Sequence, residues 1–157
     1  MKNTFSLFLI LFTVIIHAQE KILLKKGEIT IPIGKKVILK PEFKNDKIVN
    51  FEMISEENRT ERKDMFEMLK SFKKDNIKDN TIEFTFSEAE MMNNPLFILL
   101  TIQKTGKKMN FKAKIRLKGS SIYHSTSIMP AHSNVTSIEQ WKDTIDSIFL
   151  YDFELIN

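Results

Sequence analysis

The sequence predicts a mainly β protein, a β-sandwich of Ig-like or related kind with one helical insertion. Three observations lead there. Several short segments alternate apolar and polar residues at period two, with Gly, Asn or Asp between them. One segment carries an apolar stripe at helical spacing, and one continuous apolar run has the character of a strand covered on both faces.

In chain order, "GEITIPIG" places Ile29, Ile31 and Ile33 on one face between Gly27 and Gly34. "KKVILKPEFKNDKIVNFEMIS" predicts a hairpin with arms over residues 37–43 and 48–54 and Asn45-Asp46 at its tip. Pro41 cannot donate to a ladder, so the first arm should be open or bulged there. In "SEENRTERKDMFEMLKSFKKDN", Met65, Met68, Leu69 and Phe72 follow helical spacing. Acids at its start and lysines at its end suit the helix dipole, and Ser55 or Thr60 is placed to cap it. The stripe is expected to pack on the protein's own sheet. "TIEFTF" alternates again through Ile82, Phe84 and Phe86, and Ser87 with Glu90 matches a capping box for one or two helical turns before Pro95. "LFILLTIQ" is the central strand, and "MNFKAKIRLK" returns beside it after the turn "KTGKK". The Ser/Thr/His-rich stretch that follows is expected to hold a strand near residues 122–128 and a short helix capped at Ser137. The final strand, "SIFLYDFELI", should show Phe149, Tyr151, Phe153 and Leu155 on one face.

The N-terminus has a different character. Residues 5–16 are twelve uncharged, almost wholly apolar residues after a single Lys2, too few for the roughly twenty a membrane span needs. Their length and the following "IHA" match a secretory signal cut after Ala18, which divides the chain into a signal peptide, 1–18, and one domain, 19–157. The alternative is an uncleaved N-terminal anchor. The chain has no cysteine, so neither a lipidated cysteine nor a disulfide is open to it, and the domain must hold together by burial. Removal of Lys2 with the signal leaves a net charge of +3, one below the +4 of the whole chain.

Charge is patterned rather than abundant. Between Thr101 and Ile138 there are seven cations and no carboxylate. On the strand "NFKAKIRLK", Phe111, Ala113, Ile115 and Leu117 alternate with Lys112, Lys114, Arg116 and Lys118, so the cations share a face, with Lys107 and Lys108 at the adjacent turn. Such a stripe could receive an anionic envelope component or an acidic protein. Its bland counterpart is a face neutralised by Asp152, Glu154, Glu139, Asp143 or Asp146. Nucleic acid is not expected, since the strand interleaves no aromatic ring with its cations.

Catalytic signals are weak. His124 and His132 match no metal-ligand spacing, and no cofactor is implied. The serines around them, Ser120, Ser121, Ser125, Ser127 and Ser133, lack a nucleophile-elbow motif. Trp141 is expected to anchor the long loop by burial rather than to stack a ligand. "DTI" and "DSI", residues 143–148, are similar to Asp-Ser/Thr-aliphatic O-glycosylation sites of some secreted Bacteroidota proteins.

The segment "STSIMPAHSNVTSIEQWKDTIDSIFLYDFEL", with the signal ending "HAQE", resembles small uncharacterised secreted proteins of Bacteroidota. That resemblance implies the periplasm or the exterior of a Gram-negative cell and transfers no catalytic or binding residue. The sequence therefore points first to an exported, non-enzymatic binding or accessory module of the envelope, acting through Lys107, Lys108, Lys112, Lys114, Arg116 and Lys118. The alternative is a small envelope hydrolase using the Ser/His-rich loop 120–136, and a structural or inhibitory role is the third possibility.

Overall fold

The computed structural model describes residues 20–71 and 78–156; the expected signal peptide and Phe72 lie outside them. The described elements are β1 (Leu23–Lys25), β2 (Glu28–Pro32), β3 (Lys35–Lys44), β4 (Lys47–Asn58), β5 (Lys63–Asp64), α1 (Met65–Ser71), β6 (Ile82–Met91), β7 (Asn94–Gln103), β8 (Lys108–Leu117), β9 (Tyr123–Thr126), β10 (Thr136–Trp141) and β11 (Ile145–Ile156). The protein is mainly β, and its strands pair antiparallel except for β5, which runs parallel to β6.

The pairing divides into two sections, β9–β8–β11–β2–β1 and β4–β3–β6–β7–β10. They join where Glu154 of β11 pairs with Lys47 of β4 and the Leu155 amide donates to the Asp46 carbonyl at 2.7 Å. Inward side chains of both sections form one core. Ile29, Ile31, Ala113, Ile148 and Leu150 come from the first section; Val37, Leu39, Phe84, Phe97 and Leu99 come from the second. Phe153 sits where they meet, 5.2 Å from the Phe51 ring, 5.3 Å from Phe111 and 6.0 Å from Phe84. The two sections belong to one continuous 11-stranded sheet and bury their inward side chains in one core.

Tight hairpins set the register. Asn45 and Asp46 (φ 51° and 60°) close the β3–β4 hairpin as expected, and Lys26–Gly27 and Met92–Asn93 use the same left-handed pair. At Gly27 the requirement is double: φ is +74°, and a Cβ would lie 2.6 Å from the Ile48 carbonyl oxygen. Pro41 is accommodated because β3 pairs with β6 only from Lys35 to Leu39, which leaves one edge open beyond.

Strand β7 is covered on both faces as read. Phe97 and Leu99 enter the main core, while Leu96 and Ile98 meet Met65, Met68 and Ala89 beneath α1. The helix starts later than expected. Ser55 lies inside β4, and the cap is Asp64, whose Oδ1 accepts the Phe66 and Glu67 amides at 2.9 and 3.1 Å.

Strand β8 does not return beside β7: it crosses to the other section and pairs with β11 and β9, while β7 lies between β6 and β10. Three local expectations are overturned as well. Ser87 and Glu90 do not start a helix: β6 continues to Met91, because its residues pair with β7 through Met91↔Asn94. Ser137 caps nothing, since β10 pairs residue by residue with β7. The single face expected of β11 is split, because Asp152 adopts φ 56° and the register with β8 shifts between Tyr151 and Glu154. This bulge exchanges the faces, so Ile148, Leu150, Phe153 and Leu155 are buried while Phe149 and Tyr151 point outward.

Candidate ligand-binding face

The outward face of the first section gathers most of the residues singled out from the sequence. Directly opposite residues of an antiparallel pair share a face, so the ladder defines rows. One row runs Ser125, Lys114, Phe149, Thr30, Leu23 across β9, β8, β11, β2 and β1. A second joins Tyr123, Arg116, Ser147 and Pro32, and a third pairs Lys112 with Tyr151. Successive rows stand about 7 Å apart, two residues of strand rise.

Aromatic rings and cations therefore alternate on one surface. Phe149 and Tyr151 stack at 5.2 Å with planes 14° apart, and Tyr123 meets Phe149 edge-on at 6.2 Å. The Lys114 ammonium lies 5.4 Å from the Tyr151 ring centroid, and the Arg116 guanidinium 5.6 Å from that of Tyr123. The strand β8 contributes no ring to this face, as read. Its neighbours supply three.

The charges are more balanced than the local sequence suggests. Lys112 Nζ lies 2.7 Å from Asp152, a hydrogen bond that raises the lysine's pKa and lowers that of Asp152. Arg116 bonds Asp146 through Nε at 2.8 Å and Glu20 through its terminal nitrogen at 2.8 Å. Lys107, at the turn before β8, pairs with Asp46 at 2.7 Å. Half-buried Lys108 and exposed Lys118 have no ion pair among the described residues, but both lie away from the rings, at the ends of β8. Of the cations among the rings, Lys114 alone has no carboxylate within ion-pair distance among the described residues. Asp146 and Asp152 thus neutralise as foreseen, Glu20 joins them, and Glu139 instead accepts the Met129 amide at 2.7 Å.

The Ser/His-rich loop assembles no catalytic pair among the described residues. His124 and His132 are exposed, and neither hydrogen-bonds to a serine or carboxylate. Ser133 Oγ accepts the Gly106 amide at 2.9 Å, tying the loop to the β7–β8 turn, and Ser120 Oγ accepts the Ile122 amide at 3.0 Å, closing a local turn. No cluster of His, Asp and Glu suited to a metal forms among the described residues. Trp141 packs on the core beside Phe86 and donates from Nε1 to Thr126 Oγ1 at 2.9 Å, tying the edge strand β10 to the edge strand β9. Ser147, in the "DSI" pattern, is fully buried against the Tyr123 hydroxyl at 2.9 Å and is closed to modification.

No family model, curated protein or solved structure matches this chain.

Proposed function

We propose that this protein is an exported, non-enzymatic binding module of the bacterial cell envelope that holds an acidic glycan on the outward face of β9, β8, β11 and β2. Export rests on the apolar run at residues 5–16 and the Ala18 cut. Binding rests on one observation: Tyr123, Phe149 and Tyr151 share their face with Lys112, Lys114 and Arg116. Rings offer flat apolar surface to the C–H side of a sugar, and an ammonium beside them takes its carboxylate or phosphate. Lys114 is the centre of this arrangement. Lys112 contributes by exchange, because its pair with Asp152 is solvent-exposed and holds it only weakly.

Titration of the folded protein against polygalacturonate, lipopolysaccharide, neutral dextran and single-stranded DNA tests the reading. Binding to an acidic glycan should weaken as salt shortens the Debye length toward about 8 Å at physiological ionic strength. It should be lost in Lys114→Glu and in Tyr151→Ala. Absence of binding at low salt overturns the proposal, as does preference for the polynucleotide. Intact-mass measurement on protein from the producing cell should find Gln19 first; retention of Met1–Ala18 overturns the export step.

A further inference from the structure

We infer a second binding site, on the opposite section, for a neutral sugar-like polyol. A cleft of about 350 Å³ opens on the outward side of β6 between β3, β7, α1 and the chain leading into β5, near the lower end of the ~300–1,000 Å³ usual for small-ligand sites. Its origin is a change of partner along the edge of β6. Strand β3 pairs there as far as Phe86, and β5 takes over at Ala89. Ser87 sits at the join. The connecting chain is pinned across it by the Arg59 amide on the Gly34 carbonyl at 2.7 Å and the Gly34 amide on the Phe86 carbonyl at 2.8 Å.

The lining has the chemistry of vicinal-hydroxyl recognition. Thr60, Thr85 and Ser87 present hydroxyls, Asn58 presents an amide, and Leu100 with Met68 provides an apolar patch against which a ring's C–H face can lie. Charges at the cleft balance. Lys36 is matched by Glu83 at 3.0 Å and Arg59 by Glu57 at 2.9 Å, while Lys63 and Glu61 add one charge of each sign. The lining holds three cations and two carboxylates, and Glu57 behind Arg59 offsets the third, so the cleft has little net attraction for an ion and offers both donors and acceptors, which a neutral polyol uses. The independent pointer is Ser87. It is 6% exposed as a residue, yet it lines the cleft, and its hydroxyl is not a buried unpartnered atom but faces the accessible space of the cleft. A ligand hydroxyl entering the cleft would exchange with the water there at little cost.

None of these residues belongs to the basic face, so the two sites fail or succeed separately. The experiment is a titration of backbone amide resonances with methyl glucoside, methyl galactoside and N-acetylglucosamine, with glucuronate and inorganic phosphate as charged comparators. Saturable shifts at Thr60, Thr85 and Ser87 with a neutral sugar are expected, with about tenfold weaker binding in Ser87→Ala. If Ser87→Ala does not fold, Lys63→Gln at the exposed rim should still weaken the same sugar. No saturable shift with any neutral sugar overturns the inference. A response to glucuronate or phosphate alone also overturns it, as does a Ser87→Ala variant that folds and binds unchanged.

Discussion

Replacing Phe153 by Ala, beside the same change at Phe149, measures the consequence of the Asp152 bulge directly. Simple alternation places both rings on one face, whereas in the structure Phe153 is 2% exposed and Phe149 lies half-buried outside. Phe153 touches Phe51, Phe84 and Phe111 with centroids at 5.2, 6.0 and 5.3 Å, so its removal opens a cavity at the junction of both sections. Phe-to-Ala changes in such cores cost about 3–5 kcal/mol. Domains of this size hold about 5–15 kcal/mol in all. At a urea slope of about 2 kcal/mol/M, the unfolding midpoint should fall by about 2 M. Phe149→Ala gives up one stacked pair and part of its burial, about 1–2 kcal/mol. Urea titrations followed by Trp141 fluorescence supply both numbers. A Phe149 cost equal to or above that of Phe153 refutes the exchange of faces and the core assignment with it.

Three further outcomes follow from the same geometry. Gly27→Ala combines a left-handed φ of +74° with a Cβ 2.6 Å from the Ile48 carbonyl oxygen, and should lower stability by at least ~1 kcal/mol in a thermal melt; an unchanged melt contradicts the close approach of the β1–β2 turn to β4. Leu99→Asp should unfold the domain, because it buries an unpaired charge, whereas Leu100→Asp on the half-buried outer side of β7 should leave a weakened but folded protein by circular dichroism. Asp152 has its pKa lowered by its hydrogen bond to Lys112, so its contribution is complete above about 3.9, the unfolded carboxyl value, and is lost as pH falls through the lower folded value. The small melting advantage of wild type over Asp152→Asn, which keeps the left-handed bulge, should therefore vanish in acid; an advantage that grows there contradicts the pair.

Where sequence and structure agree, the information was local. Asn45-Asp46 fixes a left-handed two-residue turn whatever surrounds it, and the unbroken run Leu96–Leu99 can be satisfied only by cover on both sides. Where they part, the deciding partner is distant. Ser87 and Glu90 have the spacing of a capping box, but β7 offers their backbone a complete ladder, and tertiary pairing overrides the local preference. Asp152 carried a legible warning: an aspartate inside an apolar strand is a poor strand former and a tolerant left-handed residue. Read as a break in phase, it would have moved Phe149 and Tyr151 to the outside.

The binding face shows the same limit in its electrostatics. Thirty-odd residues without a carboxylate look strongly basic along the chain, but folding returns Asp46, Asp146, Asp152 and Glu20 to those cations from elsewhere. The rings likewise arrive from β9 and β11 rather than from β8. Reversing Lys112, Lys114 and Arg116 together would therefore set new like charges against Asp152, Asp146 and Glu20, and binding would be confounded with stability. Lys114 escapes this. Its contact is a ring, not an acid, so a single reversal there removes the uncompensated charge while leaving every ion pair on the face intact. In the proposed reading, recognition would centre on the Lys114 ammonium among three rings, and any affinity lost in Lys114→Glu would measure the charged part of it.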